Sequence, residues 1–184
     1  MNFKKMLVIG SCILTSFYNV NGDDTVNING TFKNPTDNVP LNWNVANKKL
    51  ISNLKIEKGE TANTLTITSP EHTFYIYTRS LVTATESNQV NITVEIKGTG
   101  KAFVGLYLYS EGEIWTGKNL FQEVYPTSKW VKVTRSFKLK GVSEKQIKTT
   151  RIVLGVEKSS VISFKNINVS VTPITEEPAQ AEKE

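Results

Sequence analysis

Tyr75, Tyr77 and Arg79 fall on alternate positions, with Phe74 and Ile76 on the opposite parity; Phe103, Tyr107 and Tyr109 do the same against Leu106 and Leu108, with Gly105 leaving a gap. In a strand this period of two sends each set to one face, so the two aromatic rows can share a surface. Such a surface suits one chemistry well. The apolar C–H face of a sugar ring stacks on an aromatic ring, and its hydroxyls need in-plane partners of the kind that Arg79, Asn91, Glu95 and Arg151 supply. Trp115 lies in the run Glu111-Gly112-Glu113-Ile114-Trp115-Thr116-Gly117-Lys118, read as a loop holding the indole near solvent at the edge of the same platform. A structural reading stands beside this one. Tyrosine favours strands and tolerates half-burial, so cross-strand tyrosine pairs also form for stability alone, and a loop tryptophan can pin its own loop to the core.

Residues suited to bond-breaking chemistry are sparse. His72 is the sole histidine and cannot by itself form a metal centre. No Ser-His-Asp arrangement stands out. Glycosidases on two-sheet folds need two carboxylates about 5.5 Å apart, and the nearest imitation is Glu111-Gly112-Glu113, which reads as a solvated turn. The single cysteine, Cys12, lies in a segment expected to be removed, leaving no thiol for disulfides, metal or nucleophilic attack. These absences favour a binding protein over an enzyme.

The elements that would position the aromatic residues are strands. Val90, Ile92, Val94 and Ile96 alternate with polar residues; Val131, Val133, Phe137 and Leu139 form another inward row. Further strands are read at Leu65–Thr68, Phe74–Thr78, Ala102–Tyr109, Arg151–Val156 and Val161–Val171. Turn chemistry separates them at Gly59, Gly98, Gly100, Gly112 and Gly141. A short helix is expected only around Ser143–Lys148. The apolar parity slips from Ile162 and Phe164 to Ile167, Val169 and Val171, which predicts a bulge near Lys165-Asn166. Many short strands without helical crossovers make an all-β antiparallel sandwich.

Lys4 and Lys5, the apolar run Met6–Leu14 and the small residues around Gly22 read as a signal peptide over residues 1–22, giving a secreted or cell-surface protein. Lipid anchoring at Cys12 is the minor alternative, and the apolar run is shorter than the roughly 20 residues of a membrane span. Residues 23–172 form one domain. Residues 173–184 read as a disordered acidic tail. With Lys4, Lys5 and the tail's four Glu and one Lys set aside, the overall +5 becomes about +6 on the domain. Its lysines are scattered, which argues against nucleic acid and fits a monomer with a solvated face.

The order of Asn29-Gly30-Thr31-Phe32, then Trp43, then Val90–Lys97 ending in Gly98-Thr99-Gly100, then Trp130 opening a strand with Phe137, then Ile162-Ser163-Phe164 resembles carbohydrate-binding modules of families four, nine and twenty-two. The resemblance implies a galactose-binding-like jelly-roll that binds a polysaccharide or oligosaccharide without modifying it. It also implies that Trp43 and Trp130 pack the core while Tyr75, Tyr77, Tyr107, Tyr109, Trp115 and Arg79 meet the ligand. Such modules carry a structural calcium near acidic residues of the first and last strands. Here Lys33 and Lys165 or Asn166 stand at those positions, so no cofactor is expected. A cell-surface protein-interaction domain is the second reading, and a small polysaccharide lyase or hydrolase the third.

Overall fold

The computed structural model describes residues 24–174 apart from positions 37 and 70. The expected signal peptide, and positions 175–184 of the expected tail, lie outside the described residues. Apolar alternation becomes strand along the whole domain. In chain order the strands are β1 (Asp24–Thr25), β2 (Trp43–Val45), β3 (Leu54–Glu57), β4 (Thr64–Ser69), β5 (Phe74–Thr78), β6 (Val82–Thr83), β7 (Asn88–Thr99), β8 (Ala102–Tyr109), β9 (Trp115–Val124), β10 (Val131–Lys138), β11 (Thr149–Val156) and β12 (Ser160–Pro173). They form two antiparallel sheets. The first runs β10-β7-β12-β4-β3 with β1 added to β12; the second runs β2-β5-β11-β8-β9 with β6 added to β11.

The inner faces of the two sheets make the core expected of an all-β antiparallel sandwich. Val90, Ile92, Val94, Ile96 and Phe164 from the first sheet, with Leu106, Leu108, Ile152 and Leu154 from the second, are fully buried. Val131 and Val133 point inward but are only partly buried, because β10 is an edge strand with no neighbour on one side. The predicted bulge is present: the β12–β7 register shifts between Lys165 and Asn168, and Asn166 takes up the extra residue at φ 51°.

Asn29-Gly30-Thr31-Phe32 clasps the far end of the sandwich. Phe32 and Trp43 are wholly buried, with ring centroids 5.6 Å apart, and the indole Nε1 donates to the Asn29 carbonyl at 3.4 Å. Gly30 is required there. Its amide plane lies so close to β12 that any Cβ would overlap the Ile167 carbonyl, while the Ile167 amide donates to the Gly30 carbonyl at 3.0 Å.

Several expectations change. Ser143–Lys148 is not helical; the Ser143 hydroxyl caps the Lys145 amide, and Ile147 plugs the core from an irregular loop. Short 3-10 turns stand instead at Lys48–Asn53 and Glu111–Glu113. Strand β12 continues through Pro173, and the Ile174 amide donates to the Ser87 carbonyl at 2.8 Å, so the first residues of the expected tail are tied to the domain. Trp130 is not a core residue. With Val131 facing inward, the alternation turns Trp130 outward, where it is half-buried with the ammonium groups of Lys97 and Lys165 4.9 and 4.5 Å from its ring. Trp43→Ala should therefore cost about 3 to 5 kcal/mol of stability, and Trp130→Ala roughly 1 to 2 kcal/mol, both read by urea denaturation. Equal losses would return Trp130 to the core.

Candidate functional site

The outer face of the second sheet carries the aromatic residues, and its central strands explain how they meet. Tyr75 and Tyr77 on β5 and Phe103 and Tyr107 on β8 are not on adjacent strands, because β11 runs between them. Gly155 of β11 is paired with both Tyr75 and Phe103. A Cβ at Gly155 would sit 2.6 Å from Tyr75 Cε1, so the missing side chain is what lets the Tyr75 ring lean over the strand. Tyr75 and Phe103 reach a centroid separation of 6.3 Å, and Tyr77 and Tyr107 one of 5.6 Å. Gly105 of β8 does the same for Phe121 of β9, whose ring covers the place a Cβ would take. Phe121 then stacks on Tyr75 at 5.6 Å, with Phe103 and Tyr107 at 6.4 and 6.1 Å.

Towards one end of this surface the chain turns through Glu111–Glu113 and returns as β9. Trp115 is the first residue of that strand, paired with Tyr109, so it stands on a strand edge and not on a loop. It is 53% exposed, as expected. Its Nε1 donates to Asn119 Oδ1 at 3.2 Å, which orients the indole beside a hollow of about 240 Å³ lined by Tyr107, Tyr109, Trp115 and Asn119. Arg151 lies between the rows, its guanidinium 5.9 Å from the Tyr77 ring and 5.3 Å from the Tyr109 ring. Arg151 Nη1 donates to the Thr78 carbonyl at 3.3 Å, and Nη2 lies 3.5 Å from Glu113 Oε2.

At the other end, Lys101 lies 5.2 Å from the Phe103 ring and pairs with Glu157 at 2.8 Å and Glu123 at 3.2 Å. These carboxylates raise the ammonium's pKa above its ordinary value. Glu123 in turn accepts from the Tyr125 hydroxyl at 2.6 Å. Between the two ion-paired ends the surface is uncharged. Burial pushes Tyr107 up to about 12 and raises Tyr75 and Tyr109 as well, so these tyrosines present neutral hydroxyls.

The structure brings together Tyr75, Tyr77, Tyr107, Tyr109 and Trp115. Arg79 lies past the end of β5 at the β2 edge, where its Nε donates to Asn44 Oδ1 at 2.9 Å and to the Trp43 carbonyl at 3.2 Å. Of the proposed in-plane partners, Arg151 is among the rings. Asn91 and Glu95 are on β7, in the opposite sheet, where Asn91 bonds Ser136 and Glu95 bonds Asn166 and Lys165. Phe121, Asn119 and Gly155 are members that the sequence reading missed. The run from Trp115 to Val124 has little alternation of apolar and polar residues, and the only cue is that eight-residue β8 needs a returning partner after the turn.

At the clasp, carbonyl oxygens are engaged by the chain's own side chains. The carbonyls of Lys33 and Leu41, which would be natural oxygen ligands, each accept a hydrogen bond from Asn29 Nδ2, at 2.9 and 2.8 Å. Lys33 borders a separate hollow at the clasp, together with Asn29, Leu41 and Ile167, whereas Lys165 is turned away to Glu95 and Trp130. Among the described residues no three His, Cys, Asp or Glu are grouped as metal ligands.

No protein-family model matches the sequence, and no curated protein matches it. Solved structures do share the fold. A family 11 carbohydrate-binding module of the cellulosomal cellulase Lic26A-Cel5E from Clostridium thermocellum superposes with a TM-score of 0.52 at 16% identity, over 80% of this chain and 94% of that one. A variant of a family 29 carbohydrate-binding module gives 0.52 at 14% identity, over 83% and 94%. The enzymatically active domain of tailspike protein 4 of bacteriophage CBA120 gives 0.57 at 8% identity; this chain, 82% of it aligned, spans about a fifth (21%) of that one. The sandwich is thus a jelly-roll of the kind found in carbohydrate-binding modules.

Burial of the Tyr107 hydroxyl couples to stability. Tyrosine in an unfolded chain ionises near pH 10, while Tyr107 holds its proton to about pH 12. Between those values unfolding releases a proton, so its contribution, intact below pH 10, is lost as pH rises to 12. Tyr107→Phe should lessen the fall in stability over that window in urea denaturation. An unchanged slope would mean that the hydroxyl is not desolvated.

Proposed function

We propose that this domain is a non-catalytic glycan-binding module whose ligand lies on the outer face of the second sheet. The observation that carries the reading is the contiguous run of rings from Phe103 and Tyr75 through Phe121 to Tyr107 and Tyr77, ending at the exposed indole of Trp115. Free aromatic faces beside neutral hydroxyls and an amide at Asn119 match the two sides of a sugar, its C–H face and its hydroxyl rim. The likeness to family 11 and family 29 modules supports the same use of the fold, although a fold by itself hosts many functions. Glu111 and Glu113 sit in the turn, with Glu113 held by Arg151, an arrangement unlike two opposed catalytic carboxylates. A glycan ligand fits the exported protein expected from residues 1–22.

The clasp holds itself together without a cation in this reading, since the Asn29 side chain bridges the carbonyls that an ion would bridge. Millimolar calcium should leave the melting temperature unchanged, whereas a tight site would raise it by mass action. A rise of many degrees that chelator reverses would contradict this.

Glycan-affinity electrophoresis tests the platform directly. Trp115→Ala and Phe121→Ala should each weaken binding by about 1 to 3 kcal/mol, by analogy with other aromatic stacking contacts, with melting temperatures close to wild type for Trp115→Ala. Gly155→Val should also weaken binding, by displacing Tyr75. Retention of full affinity in all three variants would move the site elsewhere. If no glycan retards the wild-type protein, a protein-binding surface becomes the better reading.

A further inference from the structure

A groove of about 300 Å³ adjoins the platform at its β2 edge, lined by Val39, Leu41, Asn44, Lys48, Ile51 and Arg79 among others. Its charge differs from that of the platform. Lys101 and Arg151 on the platform, and Lys55 and Lys165 on the other sheet, each have a carboxylate within ion-pair distance. Arg79 and Lys48 make no ion pair among the described residues, and the described lining contains no Asp or Glu. Two cations without an ion-pair partner among the described residues, beside an apolar wall, focus a positive field in the groove.

The guanidinium is also oriented. Arg79 Nε is engaged by Asn44 Oδ1 and the Trp43 carbonyl, and the Arg79 amide bonds the Asn42 carbonyl at 2.6 Å. Both Nη groups are left without a hydrogen bond among the described residues. A planar guanidinium held through Nε presents its remaining donors as a fork, which matches the paired oxygens of a carboxylate or sulfate. The groove is continuous with the platform, because Asn44 lines it and is paired with Tyr77. From β9 to β2 is four inter-strand steps, roughly 19 Å, so a chain of several sugars that stacks near Trp115 and crosses Tyr107 and Tyr77 arrives at Arg79.

We propose that this groove takes an anionic substituent of the bound glycan, a carboxylate or a sulfate, through Arg79 and Lys48. The domain is then a binder of acidic glycans. This rests on the platform reading and adds the ligand's charge class to it.

The test compares uncharged xylan oligomers, oligogalacturonates and sulfated galactan oligomers of equal length against wild type, Arg79→Gln, Lys48→Gln and Trp115→Ala. Wild type should bind at least one acidic series about tenfold or more tighter than the uncharged one. Raising the salt concentration should erode that advantage. Arg79→Gln should abolish it, so that acidic and uncharged oligomers bind this variant alike. Lys48 is exposed, so Lys48→Gln should lower the preference without touching the fold, which keeps the test valid if Arg79→Gln melts early. Preference for the oligogalacturonate arm identifies a carboxylate, and for the galactan arm a sulfate. Equal binding of charged and uncharged oligomers by wild type overturns the proposal, as does a preference that both variants retain. If Trp115→Ala loses all binding while the groove variants change nothing, the groove assignment alone fails; if wild type binds no oligomer, the platform reading fails with it.

Discussion

Strands two apart in a sheet lie roughly 9 to 10 Å from each other, too far for ring faces rooted on them to touch when the strand between carries ordinary side chains. The aromatic surface of this domain depends on removing that obstacle. Gly155 on the intervening strand lets Tyr75 lean towards Phe103, and Gly105 lets Phe121 lie across β8 to reach Tyr75. Neither glycine is needed for a turn or a positive φ. What each contributes is space, and a Cβ at either position would push apart rings whose contact makes the surface continuous. Isolated tyrosines on a sheet are ordinary; a joined set of rings with a flat floor beneath it is an organised feature.

Charge is arranged around that surface with the same economy. Arg151 and Lys101 lie against rings, where an unpaired cation would attract anions to the middle of the platform, and each is neutralised by a carboxylate of the same face. The interior of the platform is left with neutral hydroxyls whose ionisation burial opposes. Arg79 and Lys48, at the β2 edge, have no such partner among the described residues. The difference in pairing, more than any difference in the number of cations, divides the face into an uncharged stacking region and a positive margin.

On the opposite sheet the bulge at Asn166 interrupts β12 near its middle. Asn166 turns its amide to Glu95 at 2.8 Å, and Lys165 reaches Glu95 and the Trp130 ring. The ammonium groups of Lys97 and Lys165 lie over the indole there, so this tryptophan is engaged by its own neighbours. At the clasp Asn29 plays a comparable part with hydrogen bonds, joining two carbonyls that lie eight residues apart in the chain. Residues that resemble a family's pattern in order are thus put to different local uses.

Period-two alternation in Val90–Ile96, Phe74–Thr78 and Ala102–Tyr109 was enough to determine strands, an all-β sandwich, most of the core and the side on which the tyrosines stand, because inside and outside follow from parity once a strand exists. The parity slip located the bulge for the same reason. Parity also holds the answer for Trp130, since an inward Val131 requires its neighbour to face out, whereas the family resemblance implies a core position. Strand order was not legible. Nothing local in β5 or β8 reveals that β11 lies between them, that Asn91 and Glu95 belong to the other sheet, or that weakly alternating β9 brings Phe121 and Asn119 to the site. Those placements come from which strands pair across long stretches of chain, a property of the closed sandwich. The aromatic surface was therefore present in the sequence as separate rows, and only the tertiary structure, by inserting a strand with a glycine between them, made it one.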